Sequence, residues 1–136
     1  MNWKRFLIIL VSIIGISSFN INADTQYFNA NSYAIKAKLN NYWTEWSKWN
    51  SCNIDIKFEI DSDIIIIYSK KTQVYNILSY DGTTIEFDGS SQIYFSAIDQ
   101  DMDRCIIRLR IEYNENSQIY IEFGDIMWVY NIIRTY

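Results

Sequence analysis

A chain of 136 residues with 12 Lys and Arg against 16 Asp and Glu has a formal charge of −4. Without a basic cluster it is a poor ligand for nucleic acid or an anionic membrane surface, because neutralising phosphates takes grouped Lys and Arg. It also has no histidine, which excludes Ser-His-Asp and Cys-His catalysis, the two-histidine iron site and ordinary zinc sites.

The N-terminus reads as a segment to be removed. Met1 to Arg5 is short and basic, Phe6 to Ile16 is an apolar core, and Ser17 to Ala23 ends in a small residue. That is the layout of a secretory signal peptide, with cleavage expected after Ala23. The apolar run is shorter than the roughly 18–20 residues of a membrane-spanning helix. Residues 24–136 are thus expected to be a single exported domain, periplasmic or extracellular, with no membrane span. Loss of residues 1–23 leaves 113 residues, and loss of Lys4 and Arg5 takes the formal charge from −4 to −6.

From Asp24 to Asn31 the chain is polar and is expected to be a loose lead-in. Tyr33, Ile35, Ala37 and Leu39 then alternate with Ala34, Lys36 and Lys38. This two-residue period marks a strand. Asn40-Asn41 suits a two-residue hairpin turn, since Asn accepts positive φ. The turn places Lys36 opposite Glu45, Lys38 opposite Trp43 and Ile35 opposite Trp46. Trp43, Trp46 and Trp49 recur every three residues, which is a helical spacing. Tyr42 and Thr44 favour a strand and no cap precedes them, so the prediction is a strand bulged near Trp46 to Trp49.

Cys52 to Ile60 alternates cleanly, and Asp61-Ser62 turns the chain. Ile64 to Tyr68 is apolar on both sides, the pattern of a strand covered on each face. Thr72 to Tyr80 returns, Asp81-Gly82 and Asp88-Gly89 bracket a short strand at Thr84 to Phe87, and Gln92 to Ile98 follows. Cys105, Ile107, Leu109 and Ile111 form the dry side of the next strand, with Arg108 and Arg110 on its wet side. A three-residue loop, Asn114-Glu115-Asn116, would set Ile111 opposite Ile119, Leu109 opposite Ile121 and Arg108 opposite Glu122. Ile126 to Ile133 closes the chain as a strand covered on both faces.

Nine or ten short antiparallel strands without an amphipathic helix make an all-β meander. Such a sheet must manage its edges, and tight turns favour an up-and-down barrel over a two-sheet sandwich. In architecture alone, and in no residue motif, this resembles the lipocalins. Cys52 and Cys105 both fall at inward positions. An oxidising compartment favours a disulfide between them, worth roughly 4 kcal/mol over so long a loop. Two buried free thiols are the alternative.

Candidate sites are few. Asp99-Gln100-Asp101-Met102-Asp103 resembles the start of a calcium loop. Arg104 stands where that loop needs glycine, however, and Arg110 where it needs a bidentate acid. No metal or cofactor is expected, and no catalytic pair of carboxylates can be named. The positive feature is aromatic content. Trp43, Trp46, Trp49, Tyr94, Tyr120 and Trp128 are the candidate ligand-binding residues, because planar rings beside Asn, Gln and Lys can stack on sugars or anchor a protein partner. The expected role is non-catalytic binding of a small molecule or glycan, at a barrel mouth or on this aromatic surface. A protein-interaction module is the alternative.

Overall fold

A computed structural model describes residues 25–112 and 117–135. The expected signal peptide and the Asn114-Glu115-Asn116 loop lie outside the described residues. Nine strands follow one another: β1 Thr25–Leu39, β2 Tyr42–Trp43, β3 Asn50–Glu59, β4 Ile64–Ile67, β5 Gln73–Ile85, β6 Ser91–Asp99, β7 Arg104–Ile111, β8 Ser117–Glu122 and β9 Ile126–Thr135. Each of β3 to β9 pairs antiparallel with its neighbour in sequence, and β1 pairs with both β3 and β9. Eight strands therefore close into an up-and-down barrel, with β2 an extra ribbon beside β1. The barrel, not the sandwich, is the outcome, and closure removes the edge problem for most of the sheet.

The dry faces point inward. Ile56, Ile65, Ile67, Ile93, Phe95, Ile107, Leu109, Ile119 and Ile121 are fully buried in one core. The gap among Phe58, Ile60, Ile65, Ile77 and Phe95 has no room for a water molecule. At one end Tyr33, Trp128 and Tyr130 pack ring to ring, with centroids 5.9 to 6.5 Å apart. Buried tyrosine hydroxyls need partners, and Gln73 supplies them. Tyr75 Oη donates to Gln73 Oε1 at 2.5 Å, and Gln73 Nε2 donates to Tyr130 Oη at 3.4 Å. At the other end Gln26 is buried, and its Oε1 accepts from Arg134 Nη2 at 2.7 Å.

Several expectations are corrected. The polar lead-in is the first half of β1: Gln26, Phe28 and Ala30 alternate inward and pair with β3 and β9. Asn and Gln between small apolar residues hid that alternation. Asp81-Gly82 is no turn, because β5 runs through it with two bulges. Gly82 takes a φ of +136°, which favours glycine. The Asp81 carboxylate is held by the hydroxyls of Ser79 and Ser96 at 2.8 and 2.5 Å. The real turn is at Asp88-Gly89, braced by Ser90 and by the Asp88–Arg110 ion pair at 3.1 Å. Ile64 and Ile66 lie only half-buried on the outer wall, so β4 is covered on one face.

The β7–β8 pairing keeps the predicted faces but moves by two residues. Leu109 stands opposite Ile119, Ile107 opposite Ile121 and Arg108 opposite Tyr120. A shift of two preserves inside and outside, so the hydrophobic pattern cannot detect it. β8 must also match β9, where Ile121 meets Trp128 and Ile119 meets Tyr130.

Cys52 and Cys105 are free, which overturns the expected disulfide. β3 and β7 are the second and sixth strands around a ring of eight, so they stand on opposite walls with the core between them. Inward parity on two strands says nothing of the distance across the bore. Cys52 Sγ instead donates to the Ala30 carbonyl at 3.4 Å. Burial pushes the Cys105 thiol from its ordinary 9.0 up to about 12, and it also raises the Tyr75 and Tyr130 phenols above 10.0. These groups are native only when neutral. The stability they contribute is complete below about pH 9 and is lost as pH rises toward about 12. The urea midpoint is therefore expected to fall through that window, and Cys105→Ala should flatten part of the fall. An unchanged slope in the variant would mean that water reaches the thiol.

Candidate functional site

Among the predicted site residues, the structure separates two groups. Trp128 points into the barrel, where it stacks on Tyr130. Trp43, Trp46 and Tyr120 belong to the outer wall, and Trp49 is half exposed at the entry to β3.

The ribbon that carries the three tryptophans starts as β2 and continues at 44–49 as an irregular segment tied to β1 at intervals. Asn40 and Asn41 both take positive φ, and Lys38 meets Trp43 as expected. Thr44 N then donates to Ala37 O at 2.8 Å and Ser47 N to Ile35 O at 2.8 Å, while Asn50 pairs with Tyr33. Three ribbon residues thus match two β1 residues, twice in succession. Each step holds one extra residue, the definition of a bulge. The hydroxyls of Thr44 and Ser47 lock the register by accepting from Ala37 N at 3.1 Å and Ile35 N at 3.0 Å. The three-residue rhythm that looked helical is therefore the beat of this bulged pairing. The expected strand stops at Trp43 instead of running on to Trp49, and the expected Lys36–Glu45 and Ile35–Trp46 pairs do not form, because the three-for-two step displaces them.

The bulge swings Trp46 over the outside of the barrel. Lys36 Nζ lies 4.5 Å from the Trp46 ring and 5.5 Å from the Trp43 ring, and Lys38 Nζ lies 5.0 Å from Trp43. Trp46 reaches Tyr120 on β8, with centroids 6.1 Å apart. Between these two rings, Ala34 and Val129 form an outward-facing pair on β1 and β9. They are nonetheless only 1% and 2% exposed. Such burial on the outer face of a barrel needs a cover, and we infer that the Trp46 and Tyr120 rings, which meet across β9, give it. Met127 beside them is buried too. This is why Ile126 to Ile133 reads as apolar on both sides.

One row therefore crosses the outside of five strands: Tyr94, Arg108, Tyr120, Val129 and Ala34 are successive cross-strand partners. Arg108 Cζ sits 3.9 Å from the Tyr120 ring centre, and Arg108 Nη1 donates to Gln92 Oε1 at 3.1 Å. A cation over a ring at a partly exposed site contributes about 0.5–1 kcal/mol. The adjacent row is amide and hydroxyl: Gln118 Nε2 donates to Asn131 Oδ1, and Asn131 Nδ2 donates to Ser32 Oγ, each at 2.9 Å. Tyr120 Oη joins the rows by donating to Gln118 Oε1 at 2.8 Å. Sequence reasoning missed Lys36, Arg108, Ala34 and Val129. Parity placed Lys36 and Arg108 on the wet face, but nothing along the chain announced that Trp46 would fold across three strands.

The acidic loop at Asp99 serves the β6–β7 turn. Asp99 Oδ1 accepts from Asp101 N and Asp103 N, each at 2.9 Å, which engages that oxygen with backbone. Among the described residues no three Asp, Glu or Cys side chains gather as metal ligands. The chain matches no protein-family model, no curated protein and no solved structure.

Proposed function

We propose that this is an exported, non-catalytic binding domain that takes a linear glycan along its outer tryptophan ribbon. The observation that carries this reading is the spacing of the rings. The double bulge advances Trp43, Trp46 and Trp49 by two β1 residues each. Strand geometry makes that step about 6.6 Å. A regular series of flat rings suits a regular series of sugar rings, and the neighbouring amides of Gln118 and Asn131 offer donors and acceptors for hydroxyl groups. The filled interior favours the outer surface over a barrel mouth as the place of binding. Trp46 is 37% exposed and Trp49 51% exposed, so both present open ring area.

The test is a glycan array with the wild-type protein, Trp46→Ala and Trp49→Ala. Each variant is expected to lose about tenfold in affinity for the retained glycan, the effect of about 1.4 kcal/mol. Binding that survives both substitutions would remove the ribbon from consideration. A second reading, a protein partner, is favoured by Leu39 and Tyr42, which stand exposed at the end of the same hairpin. It predicts that Tyr42→Ala, not Trp46→Ala, abolishes recruitment.

A further inference from the structure

We propose that the opposite end of β1 carries a second site, a shallow cleft for a neutral saccharide unit between Tyr27 and Tyr68. On the outer wall, Tyr27 pairs across to Lys57 and Asn29 to Asp55. The chain leaving β4 then brings Tyr68 beside Asp55, where Tyr68 N donates to the Asp55 carbonyl at 2.9 Å. The two tyrosines thus stand diagonally across the β3 residues Asp55 and Lys57. They line an open cleft of about 660 Å³ with Phe28, Asp55, Ile56 and Thr135. Tyr27 is 48% exposed and Tyr68 46% exposed, so ring area that could have been packed away faces the cleft side of the sheet.

The lining is mostly apolar and aromatic, and its one carboxylate is fixed in place. Asn29 Nδ2 donates to Asp55 Oδ1 at 3.1 Å and to Asn53 Oδ1 at 2.7 Å, which sets one carboxylate oxygen and leaves Oδ2 as an acceptor. Beside the cleft, Lys57 Nζ is paired with Glu59 Oε1 at 2.7 Å. Thr135 adds a hydroxyl. Flat rings flanking one carboxylate and one hydroxyl form the pattern that receives a sugar, whose axial C–H groups meet aromatic faces while its hydroxyls both donate and accept. The Asp55 carboxylate disfavours an anionic guest, and the Lys57–Glu59 pair beside the cleft is neutral as a whole. A neutral saccharide, whose hydroxyls donate to that carboxylate while its ring lies on the tyrosines, is the class we assign. All of these groups except Tyr68 sit on paired strands, so the site is assembled before the ligand arrives.

This inference stands on its own residues and does not require the tryptophan ribbon to bind anything. Its test is an NMR titration of the purified protein with short neutral oligosaccharides of glucose, mannose and N-acetylglucosamine, alongside a tyrosine-rich neutral peptide. The expected result is saturable shifts at Tyr27, Tyr68 and Asp55 with at least one oligosaccharide. Affinity should drop about tenfold in Tyr27→Ala and in Tyr68→Ala and be unchanged in Phe87→Ala, whose ring is exposed and outside both sites. No shift with any sugar, shifts with the peptide alone, or sugar binding that survives the double tyrosine variant would each overturn it. Both tyrosines are exposed, so the unfolding midpoint of each variant should match wild type. Asp55→Asn supplies a further variant if either does not.

Discussion

Phe95→Ala is expected to destabilise the barrel by about 3–5 kcal/mol. Phe95 is fully buried, lies in the middle of β6 between β5 and β7, and packs against the Tyr80 ring at 6.1 Å. Truncation removes the ring's transfer energy and leaves a hole that a closed ring of strands cannot collapse around. For a domain of this size that is a large share of a total near 5–15 kcal/mol. Phe87→Ala is the matched control, since Phe87 is fully exposed at the β5–β6 turn and its loss should stay within about 0.5 kcal/mol. Urea unfolding of both variants decides the point. A Phe95 loss smaller than about 1 kcal/mol would mean that the interior is not packed as described.

The second large effect concerns the outer wall. Ala34→Asp places a carboxylate under Trp46, where 1% of the residue meets solvent, and is expected to cost at least about 3 kcal/mol. Elsewhere on the outside of a barrel the same change would be nearly neutral. Repeating it in a Trp46→Ala background should shrink the penalty by about 1 kcal/mol or more, because water then reaches the carboxylate. Strict additivity in this double-mutant cycle would show that the ribbon does not cover β1 and β9.

Most of the barrel was legible because one rule governs it. Wherever apolar residues alternate, as in Cys105, Ile107, Leu109 and Ile111, the inward face is correct, and the all-β closed meander follows from the number and spacing of such runs. Register is another matter. A two-residue slip at Leu109 leaves every side chain on its face, so the choice falls to β9, which no local pattern can see. Thr25 to Ala30 was obscured because its inward positions include Gln26, a polar residue buried through a bond to Arg134 over a hundred positions away. Asp81-Gly82 has the composition of a turn, yet its carboxylate is satisfied by Ser79 and Ser96, and the strand continues. The ribbon was the hardest part. A three-residue spacing belongs to helices in general, and here it arises from two bulges pinned by Thr44 and Ser47.

The placement of the two thiols on facing walls has a consequence for how the molecule can be made. No covalent staple spans the bore, so reaching the native state requires no oxidant, no isomerase and no particular glutathione balance. Its resilience must come entirely from strand closure and the packed interior. Burial raises both thiols above their ordinary 9.0, so they stay neutral and poorly nucleophilic near pH 7.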